Sequence, residues 1–283
     1  MKNHTMAIFL AAYLLFLAAH AGFSGTPPEP LALEPEATGP VYQLEPVAVS
    51  GSVRSGDKAD KKLAGYDYQL LTLSVANPEA LSPAEAEAAE RITEVFNARM
   101  SGMMEEFEAH GAALGRDAKN AYKGGYLHEA YYDEVTASGA VVGEVVSIRI
   151  DRSSYTGGAH PSGYASGCLF DLAAGQFIPD PSQLADDPAA FLAGAAEKLT
   201  RRAEAIRENR DFYWQDYAEI ISRWNEGTVL FDEEGMLAVY STYELGPYVM
   251  GEVELRLDWE ELAELMGPGG LARLGADLPG LAG

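Results

Sequence analysis

A histidine set among hydroxyls is the first place in this sequence where chemistry could reside. Tyr155-Thr156-Gly157-Gly158-Ala159-His160-Pro161 follows directly on Ser153 and Ser154. A base beside hydroxyl groups could activate a nucleophile or a water for hydrolysis. The same residue types also build a tight corner. Adjacent glycines reach backbone angles closed to other residues, Pro161 fixes the exit, and short hydroxyl side chains bond to nearby backbone. The segment therefore reads either as a structural corner or as a loop that faces a ligand. No second motif completes a catalytic set. There is no Gly-x-Ser-x-Gly elbow, no His-x-x-x-His pair, and no Gly-Lys-Ser/Thr after the glycines. Beyond the N-terminal region the histidines are His110, His128 and His160, and none stands at ligand spacing from Asp, Glu or Cys. No metal centre, cofactor or catalytic residue is therefore assigned. The single cysteine, Cys168, excludes an intramolecular disulfide, and its neighbours Leu169 and Phe170 mark it as a buried thiol.

The carboxylates are numerous enough to pair by chance. Asp232-Glu233-Glu234 reads as a solvated hairpin tip, and Glu260-Glu261 as the first turn of a helix, where the dipole favours acids. The aromatics carry more. Tyr240, Tyr243, Tyr248 and the group Phe212, Tyr213, Trp214 and Tyr217 could pave a groove for a sugar or a protein, with core packing as the competing reading.

The 283 residues hold 20 Lys+Arg against 43 Asp+Glu, a net charge of -23. That balance argues against nucleic acid, whose binders need a basic face, and against a polybasic grip on anionic membranes. It favours basic partners. With 47% hydrophobic residues the chain has material for a core and lacks the signature of disorder.

Lys2 and the apolar run Met6–Ala19, followed by Ala19-His20-Ala21, read as a signal peptide cleaved after Ala21. The run is shorter than the roughly 20 residues of a bilayer span, so an uncleaved anchor is the alternative and a stable span after cleavage is not expected. Cleavage leaves 262 residues and, with Lys2 gone, a charge of -24, in a periplasmic or secreted protein. Residues 22–62, with six prolines and scattered glutamates between 27 and 46, read as a tether.

The elements that must position these residues are strands joined by short turns, with helices between groups of strands. Tyr66–Val75 reads as a strand. Ser82-Pro83-Ala84-Glu85 is a capping box opening a helix that is expected to end near His110-Gly111. Strands on either side of Ser138-Gly139 form an expected hairpin, followed by a strand pair around Ala174-Gly175. A helix follows from Asp187-Pro188 to about Glu208, then a hairpin around Asp232–Gly235, the alternating strand Glu252–Leu257, and a helix from Asp258. No βαβ rhythm is visible. The fold class is α+β, an antiparallel sheet with inserted helices, its halves reading as two lobes meeting near residue 150, 63–150 and 151–266, before a flexible tail from 267.

The Tyr155–Pro161 run, followed by Phe170-Asp171-Leu172-x-x-Gly175, Phe231-x-x-x-Gly235 and Tyr243-Glu244-Leu245-Gly246-Pro247-Tyr248-x-x-Gly251, resembles the extracytoplasmic domain of RsiV-type anti-sigma factors. The same pair of modules looks like the non-catalytic N-terminal region of the peptidoglycan deacetylase PdaC. The resemblance covers roughly residues 60–266 and is strongest over 146–266. It implies a PdaC-like N-terminal lobe, an RsiV-like C-terminal lobe, and a ligand-binding module outside the cytoplasm whose partner is lysozyme or another basic protein. Only five residues precede the apolar run, so a sigma-binding segment is not expected, nor is the deacetylase's catalytic domain. The expected recognition residues are Tyr155, Gly157, Gly158, His160, Tyr243 and Tyr248. An envelope glycan hydrolase using His160, or a structural envelope accessory protein, are the alternatives.

Overall fold

The computed structural model describes residues 39–206, 211–224 and 227–275. The expected signal peptide and residues 22–38 of the expected tether lie outside these. The strands are β1 (Tyr42–Arg54), β2 (Lys62–Val75), β3 (Tyr131–Val142), β4 (Val145–Tyr155), β5 (Ser162–Asp171), β6 (Gln176–Phe177), β7 (Val229–Asp232), β8 (Gly235–Tyr240) and β9 (Val253–Asp258). The helices are α1 (Pro83–Lys123), α2 (Pro188–Ala205), α3 (Tyr217–Ser222) and α4 (Trp259–Arg273). β1 to β6 form one sheet in chain order, and β7-β8-β9 form a second, antiparallel one. The architecture is α+β, mostly antiparallel with inserted helices. Among the described residues the one parallel pair, β2 with β3, is bridged by α1.

The two sheets share strands in their packing. In β5, Cys168 and Phe170 join the core that α1 covers through Phe96, Met100 and Met104. The intervening Leu169 joins the other core, with Phe191 and Leu199 of α2 and Met236, Ala238 and Tyr240 of β8. Alternate side chains of a strand point to opposite faces, so an uninterrupted Cys-Leu-Phe run is what a strand buried on both sides requires. Ser147 of β4 fastens the layers: its hydroxyl oxygen accepts the Phe231 N–H of β7 at 2.9 Å in the interior. Residue 150 consequently marks no division. Ile150 stands inside β4, paired with Ala137 on one side and Ser166 on the other.

Four further expectations from sequence are corrected. Residues 42–54 of the expected tether form β1, registered along β2 from Tyr42 opposite Val75. Pro46 is compatible with this because β1 is an edge strand, where a missing N–H need not break the ladder. The first helix does not end at Gly111 but continues to Lys123. Gly111 and Gly115 are there because the β1–β2 ribbon presses on the helix. A Cβ at Gly111 would lie 2.8 Å from the Tyr66 ring, and one at Gly115 would lie 2.6 Å from Val53. The β3–β4 turn falls at Gly143-Glu144, with Ser138 and Gly139 inside β3. Finally, α4 runs past the expected start of the tail. It kinks at Gly267 and restarts at Pro268, where the Asp186 carboxylate accepts the N–H groups of Gly269 (3.1 Å) and Gly270 (3.0 Å). An external carboxylate there does the work of an N-cap. Residues 276–283 lie outside the described residues.

A buried polar network ties β2, β3, β4 and α1. Asp133, fully buried, takes Arg152 in a two-pronged bond (2.8 and 3.0 Å) and the Tyr68 hydroxyl at 2.8 Å. His110 Nε2 stands 3.8 Å away, and the guanidinium lies over the Phe107 ring. Burial, then the bond to Asp133, pushes the Tyr68 phenol up, so it remains a donor. Among the described residues no helix is long and apolar enough to cross a membrane.

Candidate functional site

Three loops converge at one end of the second sheet. The first, 156–161, joins β4 to β5. Gly157 (φ +96°) and Gly158 (φ +111°) make the reversal, angles that residues with a Cβ rarely adopt. Tyr155 braces it, its hydroxyl donating to Gly158 O at 3.1 Å and its ring stacking on Tyr132 at 6.1 Å between centroids. His160 then reaches outward. Its Nδ1 lies 3.0 Å from Pro161 O. A carbonyl oxygen can only accept, so Nδ1 carries the proton, which leaves Nε2 of the neutral ring to accept from the Tyr243 hydroxyl at 3.2 Å.

The second loop, 241–252, joins β8 to β9. Ser241 anchors it to β5, its hydroxyl donating to Ala165 O (2.9 Å) and accepting the Ala165 N–H (3.0 Å). Ser241 and Glu244 close a turn: the Glu244 N–H bonds to Ser241 O, and the Glu244 carboxylate accepts the Ser241 N–H at 2.8 Å. Burial pushes the Glu244 carboxyl up, opposed by that N–H bond. Inside the turn Tyr243 holds φ +73°, an unfavourable angle for an aromatic residue and a form of stored backbone strain. The strain aims the Tyr243 ring at the first loop. Tyr248 stacks on His160 with centroids 3.8 Å apart and planes 19° from parallel, and Tyr243 lies 5.7 Å from Tyr248.

The third loop, 211–216, is fixed through backbone. Trp214 Nε1–H donates to Tyr243 O at 3.1 Å, and the Trp214 N–H donates to Leu245 O at 2.9 Å. Tyr213 packs against the core, but Phe212 is 49% and Trp214 41% exposed, beside Tyr243 at 52% and Val249 at 75%. Asp211 and Asp216, both exposed, flank the loop, and no Lys or Arg occurs in 156–161, 211–216 or 241–251. The arrangement is a half-exposed aromatic platform with fixed hydrogen-bonding edges in an acidic setting. Proteins rarely display such apolar groupings without a binding role.

Of the six residues expected from sequence, the structure brings His160, Tyr243 and Tyr248 into mutual contact. Gly157, Gly158 and Tyr155 shape and brace the loop that presents His160. Ser153 and Ser154 stand in the β4 ladder opposite Gly163 and Ser162. Among the described residues no group of three or more His, Cys, Asp or Glu could hold a metal ion. The sequence leaves Phe212 open between groove and core packing and gives no sign of Val249. The polar bracket of Asp211, Gln215 and Asp216 was the available signal for exposure.

Comparison with known proteins finds a family model that matches part of this site. Residues 185–260 match the model of DUF3298, described as a protein of unknown function. That stretch runs from α2 through β9, and so carries Tyr243 and Tyr248 but not His160. A crystal structure of a DUF3298 family member from Bacteroides fragilis is similar over 85% of this chain and 99% of that one, with a TM-score of 0.58 at 15% identity. The two share a fold. A DUF3298 family protein from Pseudomonas aeruginosa is similar over 81% of this chain and 96% of that one, with a TM-score of 0.48 at 17% identity. A search of curated proteins finds no match.

Proposed function

We propose that this chain is a non-catalytic binding module acting outside the cytoplasm, and that the His160–Tyr243–Tyr248 platform is its recognition face for a basic protein. Lysozyme is the first candidate partner, from the resemblance to RsiV-type domains. The observation that carries the reading is Tyr243. An aromatic residue held at φ +73° and half exposed is strain maintained for presentation, since packing gains little from a ring in solvent. Charge supports the class of partner. The three loops hold Asp211, Asp216 and Glu244 without a single Lys or Arg, on a chain at -23. Export rests on the apolar run and the Ala19-His20-Ala21 pattern.

Against the hydrolase reading, both ring nitrogens of His160 are engaged. His160 spends its Nδ1 proton on Pro161 O and the Nε2 lone pair on a phenol, whereas a general base needs a lone pair facing substrate or water. The test is a salt series: lysozyme is titrated into the protein from low to physiological ionic strength and slightly beyond. Specific recognition retains saturable binding where the Debye length is about 8 Å. Binding that vanishes with modest added salt leaves only charge attraction and refutes the proposal.

A further inference from the structure

A second concavity lies away from the loop cluster, where the start of β1, the first turns of α1, the β3–β4 turn and the β5–β6 turn converge. Its volume is about 490 Å³, inside the roughly 300–1,000 Å³ range of small-molecule sites. Val41, Ile92, Val141, Leu172, Ala88 and Ala173 give it apolar walls. The ionisable side chains that line it are Tyr42, Glu85 and Glu144, and no Lys, Arg or His is among them. Glu85 is held by the capping box, its carboxylate accepting the Ser82 N–H at 2.8 Å, and the bonds to Ser82 keep it below the usual carboxylate range and ionised. Glu144 uses only its backbone, donating to Arg273 O and accepting from the Leu172 N–H. Its exposed carboxylate has no ion-pair partner among the described residues. Among the described residues the buried Tyr42 hydroxyl has no hydrogen-bond partner. Such orphans are rare in folded proteins and call for an explanation.

We propose that this cleft binds a small amphiphilic cation, with its apolar chain along the Val41–Ile92–Leu172 wall and its ammonium group toward Glu144 and Glu85. The sign of the charge decides the class. A fatty carboxylate would set its anion against two carboxylates with no cation to offset them, and a plain hydrocarbon would leave the Glu144 carboxylate unused.

The test is a calorimetric titration of the full chain with n-octylammonium, octanoate and 1-octanol. The expected result is saturable n-octylammonium binding about tenfold or more tighter than octanoate binding, equivalent to the attraction of one partly screened ion pair. Ala88→Phe, which fills the cleft from α1, removes the saturable component. Glu144→Gln weakens it several-fold without moving the unfolding midpoint, because that carboxylate has no partner to lose. Octanoate binding as tightly as n-octylammonium, no saturable binding at all, or titrations unchanged in both variants would overturn the proposal. Should Ala88→Phe not fold, Glu144→Gln decides alone. Neither residue touches the His160 platform, so failure here is distinct from failure of the recognition reading.

Discussion

Replacing Tyr243 separates the strain in the platform from its contacts. At most positions Gly is less stable than Ala by about 0.5–1 kcal/mol, because its unfolded chain has more freedom to lose. At φ +73° the order reverses. A residue with a Cβ there costs about 1–2 kcal/mol and Gly costs nothing comparable. The net expectation is that Tyr243→Gly is more stable than Tyr243→Ala by about 0.5–1 kcal/mol. Both variants lose the phenol–His160 hydrogen bond and the contact with Tyr248, about 1 kcal/mol for partly exposed groups. Tyr243→Ala therefore falls about 1 kcal/mol below the parent, and Tyr243→Gly returns close to it. Urea unfolding followed by tryptophan fluorescence reads the two midpoints, provided the m-values agree. A Tyr243→Ala variant as stable as Tyr243→Gly, or more so, would show that the backbone is not strained there. Tyr243 would then not be held under strain for presentation. Partner binding should be lost in both variants, so the Gly variant recovers the fold and not the function.

Other expectations follow from the framework. Arg152→Met leaves the fully buried Asp133 without its charge partner and should destabilise by about 3–5 kcal/mol; adding Asp133→Asn should recover part of that loss, and purely additive midpoints would contradict the pairing. Gly167→Ala places a Cβ 2.5 Å from Leu230 and 2.9 Å from Val229 O where β5 meets β7, and should cost about 1–3 kcal/mol in thermal unfolding. Glu244 has a raised folded-state pKa, so its protonated form is favoured by folding and the parent loses stability as pH rises through that folded value. Glu244→Gln escapes this loss: its melting temperature should match the parent's at low pH and exceed it progressively as pH rises toward neutrality. A gap that is constant, or that narrows with rising pH, would count against it.

The sequence was most legible where one local rule acts alone. The capping boxes at Ser82 and Asp258 both form as read. The hairpin around Asp232–Gly235 appears where its turn residues and alternation placed it. Rules that depend on distant neighbours were opaque. Gly111 reads as a helix stop, yet it and Gly115 are packing residues for Tyr66 and Val53, which lie more than forty positions upstream. Pro46 read as linker because nothing local says that a strand has a free edge. Asp133 sits in a strand whose alternation, Asp133, Val135 and Ala137, points it inward, so its burial was detectable; its partners Arg152 and Tyr68 were not. At the platform, His160, Tyr243 and Tyr248 could be named from motif order, but their contact depends on a positive φ at Tyr243, which the residue type argues against. For the third loop the sequence leaves groove and core packing both open, because aromatic clusters are usually buried.

The central claim is that this face recognises a basic protein through the stacked and strained aromatics. It is tested most directly by calorimetric titration of lysozyme into the parent protein and into Tyr243→Gly and Tyr248→Ala at physiological salt. The account predicts saturable binding to the parent and a loss of at least about tenfold in both variants, the cost of removing an interface aromatic, with their unfolding midpoints close to the parent's. Equal binding by all three proteins, or no saturable binding by the parent, would contradict it.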